Sequence, residues 1–143
     1  MAYRGRAITE AVITALTVAG LRVGDGDKPA TGAGWEGVAG QSSFRGYVVV
    51  HPIGAYDFGG SLSEPFADVW PLYQISSYGA TQRQCEELSA KVALVMLTVT
   101  LVVAGRKVCL TQPDDLGRVT RFDDTQPPIF MAPDRYEVCT TAA

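Results

Sequence analysis

Residues 71–97 read PLYQISSYGATQRQCEELSAKVALVML, a strand that turns at one glycine into the longest amphipathic helix of the chain. In Leu72 to Tyr78, Tyr73, Ile75 and Tyr78 lie among polar residues, an approximate period of two. Gly79 breaks that pattern. Thr81 stands three residues before Gln84, the spacing of a capping box. The Thr81 hydroxyl is expected to accept from the Gln84 N–H while the Gln84 side chain returns to the Thr81 N–H. Cys85, Leu88, Val92, Val95 and Met96 then form an apolar stripe, with Arg83, Glu87 and Lys91 opposite it. Glu87 and Lys91 have the favourable i,i+4 order. A helix with one apolar face needs a surface to cover, most simply a sheet containing its own preceding strand.

The rest of the chain supplies that sheet. Ile8, Val12, Ala15, Leu16 and Ala19 share one face of a first helix beginning near Arg6, with Gly20 placed to end it. Leu21 to Val23 reads as a short strand. Gly24 to Gly46 is a glycine-rich loop without periodicity, its only large apolar residues being Trp35 and Phe44. A loop of that length is functional or disordered more often than incidental. Either its aromatics pin it to the body or they meet a partner.

Tyr47 to Ile53, YVVVHPI, is a β-branched strand, with Pro52 as its end or edge marker. Phe66 to Tyr78 returns antiparallel to it. The connection Gly54 to Pro65 reads as a turn-rich assembly arm presenting Tyr56, Phe58 and Leu62, the alternative being that Tyr56 and Phe58 fold back onto the hydrophobic face of the sheet. Pro71 implies a bulge or an edge in the returning strand. After the long helix, Thr98 to Val103, Lys107 to Leu110 and Val119 to Phe122 are short strands, and Asp134 to Thr141 closes the sheet. Pro113 to Gly117 is a turn.

The expected architecture is a single α+β domain over residues 1–143: a mostly antiparallel sheet with an N-terminal helix and a long central helix packed on it, an extended hairpin and a long loop. A chain of this length buries roughly 70% of its extended surface. The 47% hydrophobic and 19% charged content is that of a globular protein. A net charge of −3, with scattered basic residues, argues against non-specific nucleic-acid binding. The apolar run Val92 to Ala104 is thirteen residues, short of the about 20 that span a membrane. Glu10 interrupts the N-terminal apolar stretch, so it reads as a mature helix and not as a signal peptide.

Sites for chemistry are not legible. Cys85, Cys109 and Cys139 are odd in number, without CxxC spacing, and read as unpaired thiols of a reducing compartment. His51 is the single histidine, so neither a zinc site nor a histidine-based triad is indicated. Gly24 to Asp27 has aspartates at calcium-loop spacing but lacks the glutamate at the twelfth position. Phosphate-binding and hydrolase motifs are missing too. The reading is of a protein that is not an enzyme, with no cofactor and no metal.

The stretch Tyr73 to Glu86, YQISSYGATQRQCE, resembles the strand, Gly, Thr, Arg-Gln junction of tail-terminator (tail completion) proteins of long non-contractile-tailed phages. The ending Asp123-Asp124, Pro127-Pro128-Ile129-Phe130 and Asp134 to Thr141 is similar to that of versions from actinobacteriophages. The resemblance covers most of the chain and is weakest over Gly24 to Gly46. It implies a structural virion protein at the head–tail junction, assembled in the host cytoplasm. Such a protein forms a ring, usually of six copies, that caps the tail tube and stops its growth. Its implied partners are itself, the major tail tube protein and the head-side connector or neck proteins, with no nucleic-acid specificity and no membrane. The alternatives are a neck or head-completion protein and, from another class, a small ligand-binding or enzyme domain.

Overall fold

The computed structural model of the chain describes residues 5–59 and 68–142, positions 55–59 as backbone only. Its elements in order are α1 (Gly5–Val18), β1 (Val23–Asp25), β2 (Gly34–Trp35), β3 (Phe44–Arg45), β4 (Tyr47–Gly59), β5 (Asp68–Gly79), α2 (Gln82–Thr98), β6 (Arg106–Asp115), β7 (Thr120–Phe122) and β8 (Ile129–Ala142). The main sheet runs β1-β4-β5-β8-β6, with β7 also paired to β8. Only β1 is parallel to its neighbour; the other pairs are antiparallel. This is the α+β arrangement expected from the residue pattern.

One face of the sheet carries the core. Val48 and Val50 on β4, Tyr73 and Ile75 on β5, and Tyr136 and Val138 on β8 recur with the period of two that points side chains to one side. They meet Ile8, Val12 and Leu16 of α1 and Val92, Val95 and Met96 of α2. Burying such side chains stabilises by about 1.5–3 kcal/mol each. Thr9, the buried polar residue of α1, bonds the Tyr73 hydroxyl at 2.9 Å, so the helix face has its one polar demand met inside the core.

Both helix ends follow from local chemistry. Gly20 adopts φ +91°, and the bonds Leu21 N–H to Leu16 O at 3.2 Å and Gly20 N–H to Thr17 O at 3.0 Å close a Schellman cap on α1. Thr81 caps α2, accepting from the Gln84 N–H at 3.1 Å. The Gln84 side chain departs from the expected box. Its oxygen accepts from Ala80, not Thr81, at 2.8 Å, and its nitrogen donates to the Phe44 carbonyl at 2.9 Å. Gln84 thus ties the helix start to the end of the glycine-rich stretch. On the outer face Glu87 pairs with Arg83, at 3.1 Å, in place of the expected Lys91 partner.

Several boundaries differ from the sequence reading. The first strand is Val23–Asp25, because Leu21 is spent on the helix cap. The loop Gly24 to Gly46 contains the small β2–β3 hairpin. Thr98 belongs to α2, and residues 99–104 follow as an irregular strap with a single bridge, Val103 to Arg106. The expected turn at Pro113 falls inside β6, which runs to Asp115.

The largest difference concerns the connection from Gly54. Strand β4 does not stop at Pro52; it continues to Gly59, paired with β5 down to Gly59 opposite Asp68. Register shifts at Pro52/Gly54 and Tyr56/Phe58 absorb the proline and glycine, so the irregularity lies on β4, opposite and not within the Pro71 strand. Tyr56 and Phe58 therefore occupy ladder positions opposite Trp70 and Val69, not a loop tip. Leu62 lies outside the described residues.

Candidate assembly surface

Helix α1 is amphipathic twice over. Its Ile8, Val12, Leu16 face enters the core, while the neighbouring Ala7, Ala11, Ala15 stripe is only half-covered. Beyond that stripe the strap 99–104 turns Leu101 and Val103 inward and leaves Val99 and Val102 outward. Between helix and strap lies a hollow of about 530 Å³. Val18 on its helix wall is 82% exposed and Val102 on its strap wall 86%. Among the described residues, Glu10 is the one charged residue in its walls. Arg6 reaches Glu10 at 3.3 Å and also pairs with Asp25, which anchors the start of α1 to the end of β1. The Arg6 guanidinium holds the Asp25 carboxyl below the usual carboxylate range.

A second hollow, of about 180 Å³, lies where the strap meets β6 and shares Val99, Thr100 and Leu101 with the first. The exposed Leu97 and Leu110 border it. The strap is thus flanked on its α1 side by an apolar hollow and on its β6 side by a smaller, more polar one. Contiguous apolar surface of this kind marks interaction sites on soluble proteins. Sequence reasoning missed this surface. Its only signal was that Val102 alternates out of phase with Leu101 and Val103.

The residues singled out from the sequence lie elsewhere. Trp35 and Phe44 face each other across the β2–β3 hairpin, edge to face with centroids 5.1 Å apart. Phe44 continues to Tyr47 at 6.1 Å, and Tyr47 stacks on Tyr78 at 4.9 Å. This ladder runs from the glycine-rich stretch to the sheet. Tyr56 and Phe58 are strand positions on the far half of β4, at the other end of that strand from Tyr47.

Asp134 on β8 is buried beneath α2, accepting from Ser89 Oγ at 2.5 Å and from the Gly117 N–H. Burial raises its pKa; the Ser89 and Gly117 bonds pull the other way, and Asp115 adds to the rise. The Cys85 thiol is pushed up to about 12 by burial, then by Asp134 and Glu86. A thiol held in its protonated form is a weak nucleophile. His51 lines a separate hollow of about 170 Å³ with Asp27, Lys28, Tyr47 and Tyr78. Among the described residues no group of three or more His, Cys, Asp or Glu is arranged to hold a metal ion, and no helix is long and apolar enough to cross a membrane.

No family model matches the chain, and no curated protein does. Solved structures do. A chain from the virion of a native gene transfer agent (GTA) particle matches with a TM-score of 0.60, covering 96% of this chain and 96% of that one at 13% identity. This chain shares that fold. A second solved chain matches with a TM-score of 0.52, covering 99% of this chain and 97% of that one at 14% identity. Both likenesses run essentially end to end, so the two helices, the sheet and the strap are compared as one unit and not as a shared fragment.

Proposed function

We propose that the chain is a structural virion protein, and within that class a tail terminator. It assembles as a ring, of six copies by family resemblance, that caps the tail tube, stops its polymerisation and offers the joining surface to head-side connector proteins. The observation that carries the reading is the end-to-end fold match with a chain of a virion particle. The apolar strap surface supports it, since a ring subunit must bury surface against its neighbours. The protein acts by contact and not by catalysis, and it works at the head–tail junction after assembly in the host cytoplasm.

The test is native mass spectrometry at micromolar concentration, followed by negative-stain imaging with polymerised tail-tube protein. A closed ring seated on tube ends is the expected result. A strict monomer, both alone and with tubes, would falsify the reading. A ring that binds connector rings but ignores tubes would replace it with the neck-protein role.

A further inference from the structure

We propose that residues 116–119 are a separately opening segment on the edge of the sheet, latched shut by the Asp134 carboxyl and released when that carboxyl gives its proton to water. The edge breaks between β6 and β7. Strand β6 follows β8 from Arg106 opposite Ala142 to Asp115 opposite Arg135, and β7 resumes with Thr120 opposite Met131. Residues 116–119 pass Ala132, Pro133 and Asp134 with no ladder pair among the described residues. Backbone groups that leave a ladder need another partner. The Asp134 side chain supplies one, accepting from the Gly117 N–H, and it also accepts from Ser89 Oγ on α2 at 2.5 Å. One carboxyl thus joins strand, edge segment and helix.

The segment is seated at that single point. A Cβ built on Gly117 would lie 2.2 Å from the Pro133 carbonyl oxygen, so glycine is what lets the backbone come this near to β8. Its neighbours Leu116 and Arg118 are exposed. A stretch held at one residue between exposed neighbours belongs to the low-stability end of a fold, where opening is local.

The surroundings of the carboxyl make the latch proton-dependent. Asp134 is 1% exposed and, among the described residues, in no ion pair. The titratable groups around it are Cys85 and Glu86 on α2, Asp115 on β6 and Tyr136 on β8, and not one is a cation. The cations nearest to it along these elements, Lys91, Arg118 and Arg135, are exposed. Burial therefore prevails over the Ser89 and Gly117 hydrogen bonds and raises the carboxyl's pKa. Opening residues 116–119 admits water and returns the carboxyl toward its ordinary value of 3.8. A group that ionises less readily in the closed state than in the open one shifts the balance toward opening as pH rises.

The experiment is residue-resolved amide hydrogen exchange of the whole chain from about pH 4 to 8, each rate divided by its intrinsic value. The protection factor of Gly117 should fall about tenfold per pH unit above 3.8 and level off beyond the folded value. Low urea should leave it unchanged, because a small opening exposes little surface, whereas the buried Val50 should exchange faster as urea is added. Asp134→Asn, which keeps an acceptor for Gly117, should make the Gly117 protection factor independent of pH. Ser89→Ala removes a donor that favours the ionised form, so its levelling point should move to higher pH; this variant carries the test should Asp134→Asn not fold. A wild-type Gly117 protection factor that stays constant with pH overturns the latch. So does Gly117 exchange that follows Val50 at every urea concentration, because the segment then opens only with the whole fold.

Discussion

Gly46 and Leu88 should behave as one unit in a double-mutant cycle. Gly46 precedes β4, and a Cβ built on it would lie 2.5 Å from Leu88 Cδ1, with Gln84 Nε2 and the Tyr78 carbonyl each at 3.3 Å. The closest atom is the far end of a side chain, so the clash can be relieved by moving Leu88. Leu88 is only half-buried, unlike Cys85 and Val92 on either side of it along the stripe. Leu88→Ala should therefore cost about 1–3 kcal/mol, below most of the range for fully buried leucines. Gly46→Ala should cost about 1–2 kcal/mol by overpacking, partly offset by the reduced entropy of the unfolded chain. In the double variant the new methyl enters the space that Leu88 vacated. The double should then be less destabilised than the sum of the singles by about 1 kcal/mol or more. Urea denaturation with a constant m-value is the assay. Gly79→Ala is the control, because its Cβ would meet the Cys85 backbone nitrogen at 2.7 Å, which no side-chain truncation moves. Additivity within about 0.5 kcal/mol for Gly46 and Leu88 would refute the packing argument at this junction.

The remaining expectations concern polar groups. Asp134 binds its proton more tightly in the folded chain than in the unfolded one, so its contribution is fully present below the ordinary value of 3.8 and is lost as pH rises through its raised folded value. Asp134→Asn should flatten that part of the pH–stability profile, and a profile parallel to wild type would show that the carboxyl is ionised at no cost. Asp25 has the opposite sign: Arg6 lowers its pKa, and that stability is lost as pH falls below 3.8. Tyr136 Oη is buried without a hydrogen-bond partner among the described residues, so Tyr136→Phe should leave stability unchanged or raise it by up to about 1 kcal/mol; a loss above about 1 kcal/mol would reveal a partner. Thr81→Ala should cost about 1 kcal/mol in thermal or urea unfolding, with no loss contradicting the cap geometry. Thiol labelling of the native protein should modify Cys109 rapidly, and Cys85 and Cys139 only after unfolding, because the latter two are buried; fast labelling of Cys85 would show that α2 opens readily.

Much of this protein is written locally. The periods of α1 and α2, the Thr81 cap, the Gly20 stop, the valine run of β4 and the closing strand all depend on neighbours within a few residues, and each was legible from side-chain type and spacing. The antiparallel β4–β5 hairpin followed in the same way. What needed the tertiary structure was whatever depends on residues far apart in the chain. Pro52 and Gly54 look like the end of a strand, yet the facing β5 ladder supplies enough pairing to carry β4 through two register shifts to Gly59. Tyr56 and Phe58 consequently moved from a loop to ladder positions. Trp35 and Phe44 were visible as isolated aromatics, but only the fold brings them to Tyr47 and Tyr78. The strap surface was the least legible feature. Its walls come from residues 7–19 and 99–104, and whether a valine there is core or surface depends on which neighbour the sheet brings against it. Local pattern sets which elements form, because backbone geometry and solvent act on each residue and its near neighbours. The long-range packing of those elements decides which apolar groups remain for a partner.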